Sequence, residues 1–173
     1  YKSDDRSLMR YKSDYKAENI STHYDWSSWG QFSDAVEMCN NNGACRKLDS
    51  GVMCPSYRVT KEEKDLVRGR ANTLRLALSN QLPKDSFVSK GMYETMELCV
   101  SCKACQRECP MSVDMAKMKS EFLSHYYRKF SMSIKDRVIS NMPKLVWLLK
   151  FSNPVINTLN KIPIFSQIIE YFG

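Results

Sequence analysis

Seven cysteines in 173 residues fall into two groups, and each group closes on a Cys-Pro pair. The second group, CVSCKACQRECP over residues 99–110, reads C-x2-C-x2-C-x3-C-P without a gap. The two x2 steps let a short turn present Cys99, Cys102 and Cys105 to one face of an iron-sulfur cubane. The x3 step and the proline send Cys109 toward a different cluster, as in two-cluster ferredoxins. Four-cysteine zinc also uses C-x2-C pairs, but it normally separates two such pairs by roughly a dozen or more residues, so iron-sulfur fits this group better.

The first group, CNNNGACRKLDSGVMCP over residues 39–55, lays over the same template with one ligand changed. Cys39 is followed by Asn42 where a second cysteine would stand, then by Cys45, then by a longer insertion before Cys54-Pro55. A crossed pattern gives one complete set of four thiolates, Cys54, Cys99, Cys102 and Cys105, expected to hold a 4Fe-4S cluster. The other cluster then receives Cys39, Cys45 and Cys109 only. Its fourth corner is the vacancy of a three-iron cluster, a water or hydroxide, or an oxygen ligand such as Asn42, so 3Fe-4S and 4Fe-4S both stand. A plainer assignment fits the same spacing: Cys39 and Cys45 are ordinary buried thiols, and Cys109 completes a single cluster.

The surroundings favour reduced thiols. No N-terminal run has the basic, apolar and small-residue regions of a secretory signal, and an odd cysteine count weakens a disulfide framework. A cytoplasmic location is expected. The chain opens at Tyr1 rather than Met and stops directly after IFSQIIEYF at Gly173, as a piece of a longer polypeptide would. Its 43% hydrophobic content supports one modest domain or two small ones sharing a core.

The elements that must position these thiols read as helices. Ser33 is a plausible N-cap for a short helix, SDAVEMC, that delivers Cys39. Residues 40–55 form a loop turned by Gly43 and Gly51. Thr60 with Glu63 reads as a capping box, and Val67, Ala71, Leu74 and Leu78 recur at helical spacing, which predicts a helix from about Lys61 to Asn80. A second helix around Met92 and Met96 carries Cys99, and a third, from about Val113 to Phe130, places Met115, Met118, Phe122 and Tyr126 on one face. Met111, Met115 and Met118 read as core filler rather than a soft-metal site. No convincing run alternates polar and apolar residues, so the expected fold is all-α: a helical ferredoxin with two cysteine-bearing loops between helices. Three regions are expected. Residues 1–31 form an arm anchored through Tyr24, Trp26 and Trp29 on a neighbouring domain, 32–130 form the ferredoxin domain, and 131–173 form short helices broken by Pro143, Pro154 and Pro163. The two YKSD copies at 1 and 11 are too few to make a repeat.

Charge is uneven. Between Lys117 and Lys161 stand nine Lys or Arg and two acids, a net of +7 that equals the total for the chain. Interleaved with aromatics, this pattern suits a solvated helix face, an acidic partner domain or peripheral contact with an anionic membrane at its inner face. No recognition motif supports nucleic-acid binding. The apolar LVWLL at 145–149 is bracketed by Lys144 and Lys150, far short of the roughly 20 apolar residues of a membrane span.

VEMCNNNGACR, GVMCPSYRVTKEEKDLVRGRANTLR and ELCVSCKACQRECPMSVDMAKMKSEFL closely resemble the iron-sulfur module of FAD-linked oxidoreductases that oxidise D-2-hydroxyacids such as D-lactate, glycolate or D-2-hydroxyglutarate. The likeness runs from about residue 20 to 127. In that family a flavin domain precedes the segment, so the resemblance implies an electron-transfer part without a complete active site: electrons pass from a reduced flavin outside this chain, through the clusters, to a downstream acceptor. Arg68 and Arg70 are candidates for tuning cluster potentials, or they pair with Glu63 and Asp65. Gly69, costly by about 1 kcal/mol inside a helix, implies close approach of a cluster loop or another helix. Two rivals remain: a zinc-stabilised adaptor, and an enzyme using an open cluster corner as a Lewis acid. The second has little support, because His23 and His125, the only histidines, lie far in sequence from both cysteine groups.

Overall fold

The computed structural model describes residues 15–147 and Asn157. α-Helices order them: α1 Phe32–Glu37, α2 Pro55–Thr60, α3 Val67–Leu78, α4 Lys90–Glu97, α5 Ala104–Glu108, α6 Met115–Lys129 and α7 Ile134–Ser140. Short 3-10 turns at Ser27–Trp29, Ala44–Arg46, Glu63–Asp65 and Ser86–Val88 join them, and no strand occurs among the described residues. The chain divides into two units between Phe130 and Ser131.

In the first unit, α1 lies against α3, and α3, α4 and α6 pack on one another in pairs. The predicted apolar stripes meet there. Leu66, Leu74, Met96, Met115, Met118 and Phe122 are fully buried, each side chain contributing about 1.5–3 kcal/mol through removal from water. Met115 and Met118 are therefore core residues. A ladder of aromatic rings ties the helices together, with centroid separations of 5.0 Å for Trp26 and Phe32, 6.1 Å for Phe32 and Phe87, and 6.1 Å for Phe87 and Phe122.

Two helix starts differ from the sequence expectation. Ser33 lies inside α1, whose N-cap is Gln31. The helix expected from Lys61 to Asn80 is two helices with a break. Pro55 occupies the first turn of α2, where its missing N–H costs nothing, and Lys61 ends α2 in the left-handed region at φ 60°. Thr60 makes no capping box: its hydroxyl donates to the Asp65 carboxylate at 2.7 Å, and the chain re-enters helix only at Val67. The capping signal lost to a buried ion pair five residues further on, since Asp65 is also the partner of Arg70.

Residues 15–31 lie along the same unit. The Glu18 N–H donates to the Leu78 carbonyl at 2.7 Å, and Tyr15 donates to Glu37 at 2.6 Å. Trp26 is buried and Tyr24 exposed, and the Lys117 ammonium sits 4.2 Å from the centre of the Trp26 ring and 5.0 Å from that of Trp29. The carboxylate of Glu121, fully buried on α6, accepts from the His23 N–H at 2.9 Å, the Tyr24 N–H at 3.0 Å and Trp26 Nε1 at 3.0 Å. Burial alone pushes such a carboxyl up, but the Trp26, His23 and Tyr24 donors outweigh it and hold Glu121 below the ordinary range.

In the second unit, Ser133 caps α7 by accepting from the Asp136 N–H, and residues 142–147 are helical, with Pro143 in the first turn. Ile134, Val138 and Ile139 are exposed. The YKSD copies and the expected breaks at Pro154 and Pro163 lie outside the described residues. Among the described residues no helix is long and apolar enough to cross a membrane.

Candidate metal centre

The two cysteine groups reach the core by different local devices. α4 ends at Glu97, and Cys99 follows with its N–H bonded to the Met96 carbonyl at 3.0 Å. Ser101 and Lys103 then take left-handed φ of 54° and 59°. Such geometry is uncommon outside glycine, and here it coils the chain so that Cys99, Cys102 and Cys105 present their side chains to one space. Cys54 is itself left-handed at φ 54°, a sharp turn directly before Pro55.

Cys54, Cys99, Cys102 and Cys105 line one cavity of about 330 Å3 including its open mouth, together with Val67 and Arg70. Cys54 and Cys105 are buried, Cys99 half-buried and Cys102 exposed at the rim. Backbone N–H groups point at the sulfurs: that of Val67 lies 3.2 Å from Cys54 Sγ, and those of Met115 and Ala116 act on Cys105. Burial pushes the Cys54 thiol up to about 12 and raises Cys105 as well, despite these donors. Thiols in such a setting lose their protons to a metal rather than to water. Four sulfurs and no competing imidazole or carboxylate in the lining, with N–H donors already aimed at sulfur, fit a thiolate-bound iron-sulfur cluster. Among the described residues no three His, Cys, Asp or Glu side chains converge closely enough to hold a single metal ion. The thiols are spread around a space rather than gathered on a point.

The other candidates are placed as follows. Cys39 and Cys45 are buried; burial is the main cause of the upward push on Cys45, and Cys39 adds to it. The Arg68 N–H opposes that push. Cys109 is half-buried at the C-terminal end of α5. Asn42 is exposed, and its amide is occupied locally: Nδ2 donates to Asn40 Oδ1 at 2.7 Å, and Oδ1 accepts from the Ala44 N–H at 2.8 Å, opening the 3-10 turn that carries Cys45. The amide beside the Cys39 sulfur is that of Asn41, 3.9 Å away and fixed by Asn72 at 2.7 Å.

Arg70 is fully buried, donating to the Asp65 carbonyl at 2.7 Å and the Thr95 carbonyl at 2.9 Å, with the Asp65 carboxylate at 3.5 Å. Arg68 pairs with Glu63 at 2.6 Å while its Nη1 lies 3.3 Å from where a side chain on Gly43 would begin. Both arginines thus stand beside cysteines and carry their own acids. The rings of His23 and His125 lie 6.2 Å apart, tilted by 59°, beside Glu121.

Sequence reasoning missed the residues that brace the loops. Glu108, next to Cys109, accepts from the N–H groups of Val52 and Met53 at 3.1 and 2.9 Å, which hold its carboxyl below the ordinary range and bind the second cysteine group to the first. Arg58 gathers the carbonyls of Leu48, Ser50 and Gly51 at 3.0, 3.0 and 2.7 Å. Glu121 had one signal: it is one of two acids in the basic stretch 117–161.

Residues 35–113 match the 4Fe-4S dicluster domain family. The chain is also similar to curated D-2-hydroxyglutarate dehydrogenases: that of Pseudomonas putida at 28% identity over 66% of this chain and 14% of the relative, and that of Escherichia coli at 25% over 81% and 17%. A third, from Haemophilus influenzae, is 24% identical over 81% of this chain and 17% of the relative. This chain therefore spans about one sixth of the length of those relatives. No solved structure matches. The all-helical first unit thus carries an iron-sulfur dicluster domain homologous to a segment of those dehydrogenases.

Proposed function

We propose that this chain is the electron-transfer module of a flavin-linked D-2-hydroxyacid dehydrogenase, taking electrons from a reduced FAD in an associated domain or subunit and delivering them to a downstream acceptor. In this reading Cys54, Cys99, Cys102 and Cys105 hold one cluster, and Cys39, Cys45 and Cys109 hold the other. Such clusters take up and release electrons one at a time, at potentials spanning about −700 to +450 mV according to their surroundings. The observation that carries the reading is the single cavity to which Cys54, from the first group, and Cys99, Cys102 and Cys105, from the second, all contribute.

The chain's own residues hold and tune. Left-handed Cys54, Ser101 and Lys103 aim the thiols, and the Val67, Met115 and Ala116 N–H groups stabilise charge on sulfur. Val67 and Met115 keep water from the inner wall, whereas exposed Cys102 leaves the rim open for exchange with a partner. Asn42 we assign to shaping the Cys45 turn, which leaves the Cys39, Cys45 and Cys109 set one thiolate short. The basic and apolar residues of α7, Lys135 and Arg137 beside Ile134 and Val138, are the proposed site of peripheral contact with an anionic bilayer.

The test is an iron and sulfide count on the anaerobically reconstituted chain, with visible absorption and electron paramagnetic resonance. A brown protein with about seven or eight irons and about eight sulfides is expected from one complete and one three- or four-iron cluster. A colourless protein with stoichiometric zinc would overturn the reading in favour of a zinc adaptor.

A further inference from the structure

α6 presents Met115 and Ala116 to the wall of the cavity that Cys54, Cys99, Cys102 and Cys105 line. Lys119, three and four residues further on, lies on the same face of that helix. Its half-buried ammonium reaches to the end of α4, where Nζ donates to the Glu97 carbonyl at 3.0 Å and to the Cys99 carbonyl at 2.6 Å. A helix leaves its last carbonyls without partners, and a lysine can satisfy them. Capping alone, however, does not account for where the charge stands.

Several cations stand near the cysteine groups, Lys103 in the cavity lining among them, and the three best fixed, Arg70, Arg68 and Lys119, differ in how they are balanced. Arg70 has Asp65, and Arg68 has Glu63. Among the described residues no carboxylate forms an ion pair with Lys119; its two hydrogen bonds go to neutral carbonyls, and Glu97 acts on it only through space. A half-buried ammonium held without an acid costs stability unless a negative charge arrives nearby. A thiolate-bound cluster at Cys99 is such a charge, and each added electron makes it more negative. A fixed positive charge beside it then favours the reduced form.

We propose that Lys119 is a positioning residue for the cluster held by Cys54, Cys99, Cys102 and Cys105: its ammonium fixes the Cys99 backbone and raises the reduction potential of that cluster. The inference rests on the function proposed above and adds a direction to it. One thiolate fewer makes the Cys39, Cys45 and Cys109 cluster the easier to reduce, and Lys119 narrows that difference from the other side, easing electron exchange between the two. The charge acts at the loop of the exposed Cys102, the side open to a partner.

The experiment is an anaerobic redox titration of the reconstituted chain, with electrons supplied by dithionite and each cluster followed by its paramagnetic signal. Cys102→Ser assigns which signal belongs to the first set. Lys119→Gln keeps N–H donors for the two carbonyls and removes the charge, Lys119→Met removes both, and Lys119→Arg keeps the charge. Lys119→Gln and Lys119→Met are expected to lower the reduction equilibrium constant of the assigned cluster at least threefold at fixed ambient potential. For a one-electron couple at 59 mV per tenfold, that is a shift of about 30 mV to more negative potential. Lys119→Arg should keep the native midpoint, and the other cluster should hold its own in every variant. An unshifted midpoint in Lys119→Gln with full iron content overturns the proposal, as does an Lys119→Arg midpoint that falls with Lys119→Gln. Loss of iron from both neutral variants also overturns it, because Lys119 is then a scaffold clamp. A wild-type chain that binds no iron and sulfide overturns the functional reading itself, and is told apart because no variant then has a midpoint to compare.

Discussion

Replacing Gly69 by alanine should destabilise the protein, against the rule for helices. In an unencumbered helix interior the change gains about 1 kcal/mol, since glycine loses more backbone freedom on folding. Gly69 lies in the first turn of α3, folded back against the 3-10 turn Glu63–Asp65. A β-carbon there would stand 2.9 Å from the Glu63 carbonyl carbon and 3.1 Å from the Lys64 α-carbon, closer still to the carbonyl oxygen. These are backbone atoms, so no side chain can swing aside. Displacing a packed segment to admit a methyl costs about 1–3 kcal/mol, and this segment also carries the Asp65 carbonyl that holds Arg70 at 2.7 Å. The net expectation is a loss of up to about 2 kcal/mol, at roughly 4 °C in Tm per kcal/mol for a unit of this size. Moving Val67 away from Cys54 Sγ, now at 3.2 Å, should also loosen the cluster proposed to bind there. Thermal melts followed by circular dichroism, with iron counted before and after, measure both effects. A Gly69→Ala protein that melts at or above the wild-type temperature with full iron refutes the packing argument.

Cys54→Ser and Cys102→Ser should each abolish the same paramagnetic signal and spare the other, although 48 positions separate them; loss of different signals would break the crossed assignment. Glu121→Gln should cost about 2 kcal/mol near neutral pH, because a charge-assisted acceptor of three N–H donors becomes a neutral one. Since the folded carboxyl sits below its unfolded value, that stability is present above roughly pH 4.3 and is lost as pH falls through the folded pKa, so wild-type and variant urea midpoints should converge in acid; a gap that widens in acid would contradict this. Asn42→Asp should preserve the Cys45 turn and leave both signals unchanged. Asn42→Cys should add a fourth thiolate, remove any three-iron signal and lower that cluster's potential, and an unchanged spectrum would make position 42 a loop residue only.

Ligand chemistry is written in short-range spacing, which is why the sequence alone pointed to the dicluster domain. C-x2-C-x2-C-x3-C-P needs only a turn to become a binding loop, and the 3.6-residue period of α3, α4 and α6 follows from which side chains avoid water. Helix boundaries were less legible. Thr60 and Glu63 have the spacing of a capping box, but Thr60 gives its hydroxyl to Asp65, and Asp65 is committed to Arg70, a choice made by burial. Asn42 stands where a ligand would by spacing, yet its amide closes onto Asn40 and Ala44, because a hydrogen bond two residues away forms at little entropic cost. Long-range contacts were out of reach of any local pattern. Glu108 holds Val52 across 56 positions, Lys119 holds the Cys99 carbonyl across 20, and Glu121 holds His23 across 98. Sequence determined which side chains are candidate iron ligands and which faces must be buried. Tertiary structure decided where the compensating charges and donors stand around them, because the energy of a buried charge depends on neighbours that only folding brings near.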